Sequence, residues 1–179
     1  MKRVACLAAG AALLGCAAAH AYPKRPDGPV LDLADIFPSA EEAALSQRLT
    51  TYWSKSGNAL VVVSVSSLDG QSLEDYARGL FHEWGIGDAK ANRGLLVLVA
   101  PTEHKVRIEV GCGLIGTVTD DQAAEIIQDD MIPKFKADDL DGGTLAGVDA
   151  LIEIMRTFKP VNDNNPHAAA CRAITKNAA

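Results

Sequence analysis

Continuous apolar runs in the middle of the chain predict buried strands. Residues 58–65 and 94–100 are mostly aliphatic and β-branched, which is typical of strands covered on both faces. Residues 105–110 instead alternate between charged and apolar side chains, which predicts an antiparallel strand with one face in water. The pattern therefore indicates a sheet with two buried strands and one half-exposed strand.

Apolar residues three and four positions apart predict helices between these runs. The helices are expected at about 39–55, 72–85, 119–135 and 144–158, with a loop at 138–143. Ser39 and Thr119 are each followed by Glu or Gln three residues later, as in a capping box. A strand, a helix and a second buried strand imply a parallel crossover. The predicted fold is α/β, a single-domain αβα sandwich with a small mixed β-sheet.

The first 21 residues are predicted to be a secretory signal peptide. Lys2 and Arg3 precede an apolar stretch, and Ala19-His20-Ala21 matches an A-x-A cleavage pattern. A lipobox-like Leu13-Leu14-Gly15-Cys16 leaves open a lipoprotein anchored through Cys16, the less favoured alternative. We therefore expect a periplasmic or secreted protein that is cleaved after Ala21.

The remaining chain is predicted to hold one domain between two less ordered segments. Residues 22–29 contain three prolines and are expected to form an extended linker, followed by the domain at 30–158. The polar residues 159–179 are predicted to be a disordered tail. No other apolar run is long enough to span a membrane, so no transmembrane helix is expected in the mature chain.

The net charge disfavours several classes of partner. The whole chain carries a formal charge of −6, and removal of a leader with two basic and no acidic residues lowers it to −8. A chain this acidic is a poor candidate for nucleic acid or anionic lipid and a better candidate for cations.

Gly111, Gly113 and Gly116 form a G-x-G-x-x-G pattern that does not fit a dinucleotide site. The predicted helix begins at Thr119, beyond the last glycine, and the preceding strand has alternating charges, whereas the dinucleotide motif needs a buried strand and a helix starting within it. We expect no nucleotide cofactor, and we interpret the glycines as shaping a tight loop after the strand.

Acidic residues gather at the predicted ends of strands and helices. They are Asp32, Asp35, Glu109, Asp120, Asp121, Asp138, Asp139 and Asp141. Loops at one edge of an α/β sheet converge, and oxygen-only ligands suit Ca²⁺ or Mg²⁺. The alternative is that each residue simply caps a helix.

Cys112 and Cys171 remain after the leader is removed. In an oxidising compartment they could form a disulfide that ties the tail to the glycine loop. A buried Cys112 and a disordered Cys171 are equally compatible with the sequence.

The ordered set of motifs resembles the TPM domain family over residues 29–158. The motifs are Asp32-Leu33-Ala34, the strand at 61–65, Ser72-Leu73-Glu74-Asp75-Tyr76-Ala77, Trp84-Gly85-Ile86-Gly87, Arg93-Gly94-Leu95-Leu96-Val97, Arg107-Ile108-Glu109-Val110-Gly111-Cys112-Gly113-Leu114, Thr119-Asp120 and the segment 139–143. The resemblance implies an extracytoplasmic αβα sandwich that binds divalent metal, often calcium, in loops at one sheet edge. Some members are described as acid phosphatases, and others help to assemble or repair membrane protein complexes.

The family's metal-binding positions fall on four residues of this chain, namely Asp32, Glu109, Asp120 and Asp139. Two residues depart from the family pattern. Cys112 stands where an aromatic residue is usual, and Ile115 stands where a glutamate is usual. The second change removes one carboxylate from the neighbourhood of the expected site.

The resemblance leads to three functional hypotheses. The first is a TPM-like domain that binds Ca²⁺ or Mg²⁺ and supports the assembly or maintenance of a membrane or envelope protein complex. The second is a metal-assisted acid phosphatase, for which the sequence offers no evident pairing of a nucleophile with a base. The third is an assembly factor that binds no metal.

Overall fold

A four-stranded mixed sheet forms the middle layer of the computed structural model, which describes residues 22–87 and 91–157. Its strands, in spatial order, are β1 (Val30–Asp32), β2 (Ala59–Ser64), β3 (Gly94–Ala100) and β4 (Lys105–Val110). The first three strands run parallel, and β4 pairs antiparallel with β3. The predicted α/β class and mixed sheet are confirmed.

Helices cover both faces of this sheet. They are α1 (Ser39–Ser56), α2 (Leu73–Glu83), α3 (Asp120–Glu125), α4 (Ile132–Phe135) and α5 (Leu140–Met155). A π-helical stretch, Ile126–Met131, connects α3 to α4. The helix α2 packs on one face, while α1, α3, the π-helical stretch and α5 pack on the other. The predicted three-layer sandwich is therefore present.

The strands β2 and β3 supply the core of both layers. Alternate residues of β2 point to opposite faces, so Val62 packs beneath α1 and α5 while Val63 packs beneath α2. Every residue of β3 is buried. The aliphatic runs are continuous because both faces of these strands need apolar side chains.

The polar face of β4 is less exposed than its alternating pattern predicts. The Arg107 guanidinium lies 2.8 Å from the Glu109 carboxylate and 4.0 Å from that of Glu74 in α2. These contacts leave the Glu109 side chain only 17% exposed. The charged face of the strand therefore meets α2 through ion pairs.

Two of the three predicted serine or threonine helix starts are confirmed. Ser72 accepts a hydrogen bond from the Asp75 N–H, and Thr119 forms a full capping box with Gln122. The prediction for Ser39 was wrong, because the cap residue is Pro38, whose carbonyl oxygen accepts the first N–H groups of α1. A proline at this point already holds the chain in an extended conformation.

The predicted loop at 138–143 is mostly helix. Asp139 is the cap residue of α5, and its Oδ1 accepts a hydrogen bond from the Gly142 N–H. The paired glycines at 142 and 143 favoured a loop in the sequence. They instead lie in the first turn of α5, where glycine is needed at 143 because a side chain there would collide with the Phe135 ring.

Pro133 neither ends nor shortens the third predicted helix. A proline ring clashes with the carbonyl group four residues earlier in an α-helix. The chain is π-helical from Ile126 to Met131, just before this proline, and the wider turn relieves that crowding. Met131 is thereby buried against Gly147 of α5.

The short strand β1 was not predicted, and the segment before it makes contacts with two helices. Three residues are too few to show a periodic pattern. Residues 22–25 lie against α2 and its cap residue Trp84, whose indole N–H donates to the Pro23 carbonyl oxygen at 2.8 Å, while Gly28 lies against Ser46 of α1. The leader at 1–21 with Cys16, and the tail at 159–179 with Cys171, lie outside the described residues. Within the described ranges, no helix has the length and apolarity needed to cross a membrane.

The glycine motif allows two chain segments to approach closely at the amino edge of the sheet. The Gly111 N–H donates to the Gly94 carbonyl oxygen at 2.8 Å, and the Gly113 N–H donates to that of Asn92 at 3.0 Å. A side-chain carbon on Gly111 would lie 2.4 Å from the Asn92 oxygen. Gly111 and Gly113 are not among the glycines with positive φ. They therefore permit the close approach of the two segments without a left-handed backbone, and the chain turns directly after the strand, where the Leu114 N–H donates to the Gly111 carbonyl oxygen at 2.8 Å.

Replacing Gly111 by alanine should destabilise the protein by about 1–3 kcal/mol, because the added carbon overlaps rigid backbone. Gly28→Ala is the matched control, since its added carbon meets only the rotatable Ser46 hydroxyl, at 2.8 Å. We expect it to change the stability by less than about 1 kcal/mol. Urea denaturation measures both variants, and equal stability of Gly111→Ala and the wild type would contradict this account.

Candidate functional site

Asp32 ends β1 and organises the loop that follows it. Its Oδ1 accepts the Ile36 N–H at 3.1 Å and the Ser64 hydroxyl, and its Oδ2 accepts the Phe37 N–H at 2.8 Å. The carboxylate is therefore engaged by groups of its own fold. Asp32 lies at the carboxyl edge of the parallel strands, and its hydrogen bonds to Ile36 and Phe37 hold the loop between β1 and α1.

That loop presents Asp35 at the rim of an open depression of about 420 Å³. Asp35 has a φ of 54°, in the left-handed region that aspartate tolerates better than most residues. The depression is lined by residues 35–39 and by Asp141 from the first turn of α5. The amino ends of α1 and α5 thus meet at the carboxyl edge of the sheet.

Three carboxyl groups lie close together beside this depression. Glu41 of α1 is near enough to Asp141 for the two groups to share a hydrogen bond, which, with the charges of Asp141 and Asp139, raises the pKa of Glu41 above its usual value. The Gly142 N–H holds the pKa of Asp141 below its usual value, with help from Glu41 and Asp139. We call Asp35, Glu41, Asp139 and Asp141 the carboxyl-edge group.

One cation of the protein already contacts this group. The Lys134 ammonium group lies 3.5 Å from Asp139 Oδ2, while the other oxygen of Asp139 caps α5. Both side chains are more than two-fifths exposed. An exposed ion pair of this kind contributes little stability, so a dissolved cation can compete with the lysine.

Glu109 lies far from these residues. Strand pairing places Asp32 beside Ser64 and Glu109 beside Leu96, and these two partners belong to opposite faces of the sheet. Three strand spacings also separate the two acids, a distance of about 14 Å. Glu109 and Asp32 therefore cannot share one metal ion.

Asp120 is also separated from the carboxyl-edge group. It begins α3, after a loop that leaves β4 at the amino edge of the sheet. The helical stretch from Asp120 to Phe135 then separates it from Asp139, a length of roughly 20 Å. Of the four predicted ligands, the structure places only Asp139 in the carboxyl-edge group and Asp32 beneath the adjoining loop.

The donors at the carboxyl edge suit a hard cation, although they are not arranged around one. Within residues 22–87 and 91–157, no three Asp, Glu, His or Cys side chains converge in a geometry that would hold a metal ion. Carboxylate oxygens are the ligands that Ca²⁺ and Mg²⁺ prefer. The chemistry of the group therefore fits, and the exposed Glu41 would have to rotate to complete a site.

Glu41 is the member of the group that the sequence analysis missed. It lies in the first turn of a predicted helix, where an acidic residue is expected to stabilise the helix end. Only the side-by-side packing of α1 and α5, also joined by the Arg48–Asp149 ion pair, brings it to Asp141. A single sequence contains no sign of that contact.

Cys112 is buried and takes part in a disulfide. Its expected partner, Cys171, is outside the described residues, so that pairing stays a prediction. Ile115 lies in the loop between β4 and α3, which leaves the sheet at its amino edge. The missing glutamate at this position therefore leaves the four members of the carboxyl-edge group intact.

Comparison with known proteins assigns the fold to a family. The TPM domain model matches residues 30–154. The N-terminal domain of a protein from P. gingivalis, solved in solution, is 33% identical, with a TM-score of 0.66 over 70% of this chain and 80% of its own. The chain belongs to the TPM domain family.

Two further solved structures share the fold at lower identity. The N-terminal domain of the cg2496 protein from Corynebacterium glutamicum is 18% identical, with a TM-score of 0.55 over 73% of this chain and 81% of its own. The BA42 protein from the psychrophilic bacterium Bizionia argentinensis is 19% identical, with a TM-score of 0.58 over 74% of this chain and 92% of its own. No curated protein matches the chain.

Asp32→Ala should lower the free energy of unfolding by about 2–3 kcal/mol, because two backbone N–H groups and the Ser64 hydroxyl lose their acceptor. Asp35→Asn removes the same charge from the same loop and keeps a residue that tolerates positive φ, so its effect should stay within about 0.5 kcal/mol. Urea denaturation distinguishes them. Equal effects of the two substitutions would show that Asp32 does not support the loop.

Proposed function

We propose that this protein is an extracytoplasmic TPM domain that binds Ca²⁺ or Mg²⁺ at the carboxyl-edge group. The observation that carries the proposal is the depression that Asp35 and Asp141 line, where Glu41 and Asp139 lie close enough to Asp141 to shift its pKa. Carboxylates this close repel each other when ionised, and sharing a proton or binding a cation relieves the repulsion. The chain belongs to the TPM domain family, and the resemblance to that family implies that a divalent metal binds. Family membership therefore favours a bound cation over a shared proton.

The ligands proposed here differ in part from those that the family resemblance implied. Asp139 is the cap residue of α5, and Asp141 lies in the first turn of that helix. Glu41 lies in the first turn of α1, and Asp35 in the loop that Asp32 supports. Glu109 is instead paired with Arg107 on the opposite face of the sheet. Asp120 lies in the first turn of α3, where its charge stabilises the end of that helix.

The bound cation would supply positive charge and would order the surrounding loops. Neutralising the group removes repulsion between the amino ends of α1 and α5, which the structure already brings together. The loop at 33–38 would then present a fixed surface for a partner. We propose that this surface supports a membrane or envelope protein complex, in a periplasmic or secreted location.

The alternative hypothesis, a metal-assisted acid phosphatase, has weaker support. The Ser64 hydroxyl does donate to the Asp32 carboxylate at the carboxyl edge of the sheet. However, Ser64 is only 1% exposed, and its oxygen also accepts the Ala34 N–H. A hydroxyl buried in this way cannot reach a dissolved phosphate ester, so this pair supports the fold.

Calorimetric titration with Ca²⁺ should show saturable binding to the wild type. The double substitution Glu41→Gln and Asp141→Asn should weaken it by roughly tenfold or more, because it removes two charged ligands. The matched control is Glu109→Gln with Asp120→Asn, which removes the same charge from the two acids outside the group. We expect the control to bind within about twofold of the wild type.

Each of the other outcomes assigns the site differently. A flat wild-type trace with both Ca²⁺ and Mg²⁺ would contradict cation binding. If Ca²⁺ bound more weakly only to the control pair, the cation site would lie at Glu109 and Asp120 instead. Hydrolysis of p-nitrophenyl phosphate that disappears in the Glu41 and Asp141 variant would favour the phosphatase, whereas hydrolysis that survives in all carboxylate variants would indicate a contaminant.

A further inference from the structure

The segment before β1 makes specific contacts with α2. The rings of Tyr22 and Tyr76 meet edge to face, with their centres 5.3 Å apart. The Tyr22 hydroxyl donates to Gln71 Oε1 at 3.3 Å. A single aromatic side chain is thus held by an aromatic contact with the buried Tyr76 and by a hydrogen bond, at the margin of the core beneath α2.

Gly79 provides the space for this tyrosine. A side-chain carbon at position 79 would lie 1.8 Å from the Tyr22 oxygen and 2.4 Å from the ring carbon that carries it. Glycine inside a helix lowers helix stability relative to alanine. The middle of α2 thus contains an unfavourable residue at the one point where Tyr22 needs room.

Trp84 is held by the same segment. Its indole N–H donates to the Pro23 carbonyl oxygen at 2.8 Å, and its own carbonyl oxygen accepts from the Arg25 guanidinium. Trp84 is only 5% exposed. It also lines a cavity of about 190 Å³, together with Arg25 and the 59%-exposed Trp53.

We propose that Tyr76 and Gly79 of α2, with Gln71 just before this helix, form a tyrosine-binding site, and that residues 22–25 close on it as a clasp. The clasp is held by side-chain contacts and lies outside the sheet, so it can open while the sheet and helices stay folded. Opening exposes Trp84 and removes Arg25 from the wall of the cavity that Trp84 lines. The N-terminal segment is thus a detachable cover of Trp84, independent of the proposed cation site.

A double-mutant cycle tests the site, because the urea midpoint should shift in opposite directions when Gly79→Ala is made with and without the Tyr22 ring. Gly79→Ala should lower the urea midpoint of the chain that begins at Tyr22, because the new carbon expels the Tyr22 ring. In a Tyr22→Ala background the same substitution should raise the midpoint, because only the gain in helix propensity remains. An identical shift in both backgrounds would overturn the proposal.

Fluorescence quenching tests the opening itself. The chain has two tryptophans, so a Trp53→Phe background leaves Trp84 as the only reporter. Acrylamide should quench Trp84 more strongly after Tyr22→Ala or Gly79→Ala, with the cooperative urea transition retained, while Tyr22→Phe, which keeps the ring and loses only the hydrogen bond to Gln71, should fall between the parent and Tyr22→Ala. Equal quenching in all four proteins would show that residues 22–25 do not cover Trp84.

Discussion

The burial of β2 and β3 on both faces is the constraint from which the rest of this structure follows. A strand with apolar side chains on both sides needs a helical layer above and below it. The chain meets this need with α2 on one side and with α1, α3, the π-helical stretch and α5 on the other. Because α1 and α5 lie in the same layer and begin at the same end of the sheet, their amino ends meet at its carboxyl edge.

That arrangement brings like charges together at the carboxyl edge. The amino ends of α1 and α5 both carry acidic residues in the first turn, where each one stabilises its own helix. Their packing places Glu41 against Asp141, and Asp139 adds a third carboxyl group. A feature that favours each helix separately therefore creates a local excess of negative charge, which is the physical basis of the proposed cation site.

Local and repeating patterns are the features of this fold that could be read from the sequence. The aliphatic runs of β2 and β3, the antiparallel β4 and the caps at Ser72 and Thr119 depend on neighbouring residues, and all were predicted. The short β1 and the docked segment at 22–29 depend on contacts between distant residues. Neither has a periodic signal of its own, and neither was predicted.

The candidate site shows the same division between local and distant contacts. Asp139 and Asp32 were identified as acids at element ends, and both lie at the carboxyl edge. Glu109 and Asp120 have the same local appearance, yet the antiparallel turn into β4 sends them to other parts of the molecule. Sequence position alone cannot tell which ends of a mixed sheet share an edge.

The most direct test of the cation site is an NMR titration of the ¹⁵N-labelled protein with Ca²⁺. This account predicts saturable shifts of backbone amide signals from residues 33–41 and 138–143, with little change in residues 105–121. Shifts centred on Glu109 and Asp120, or no saturable shifts at the carboxyl edge, would contradict it.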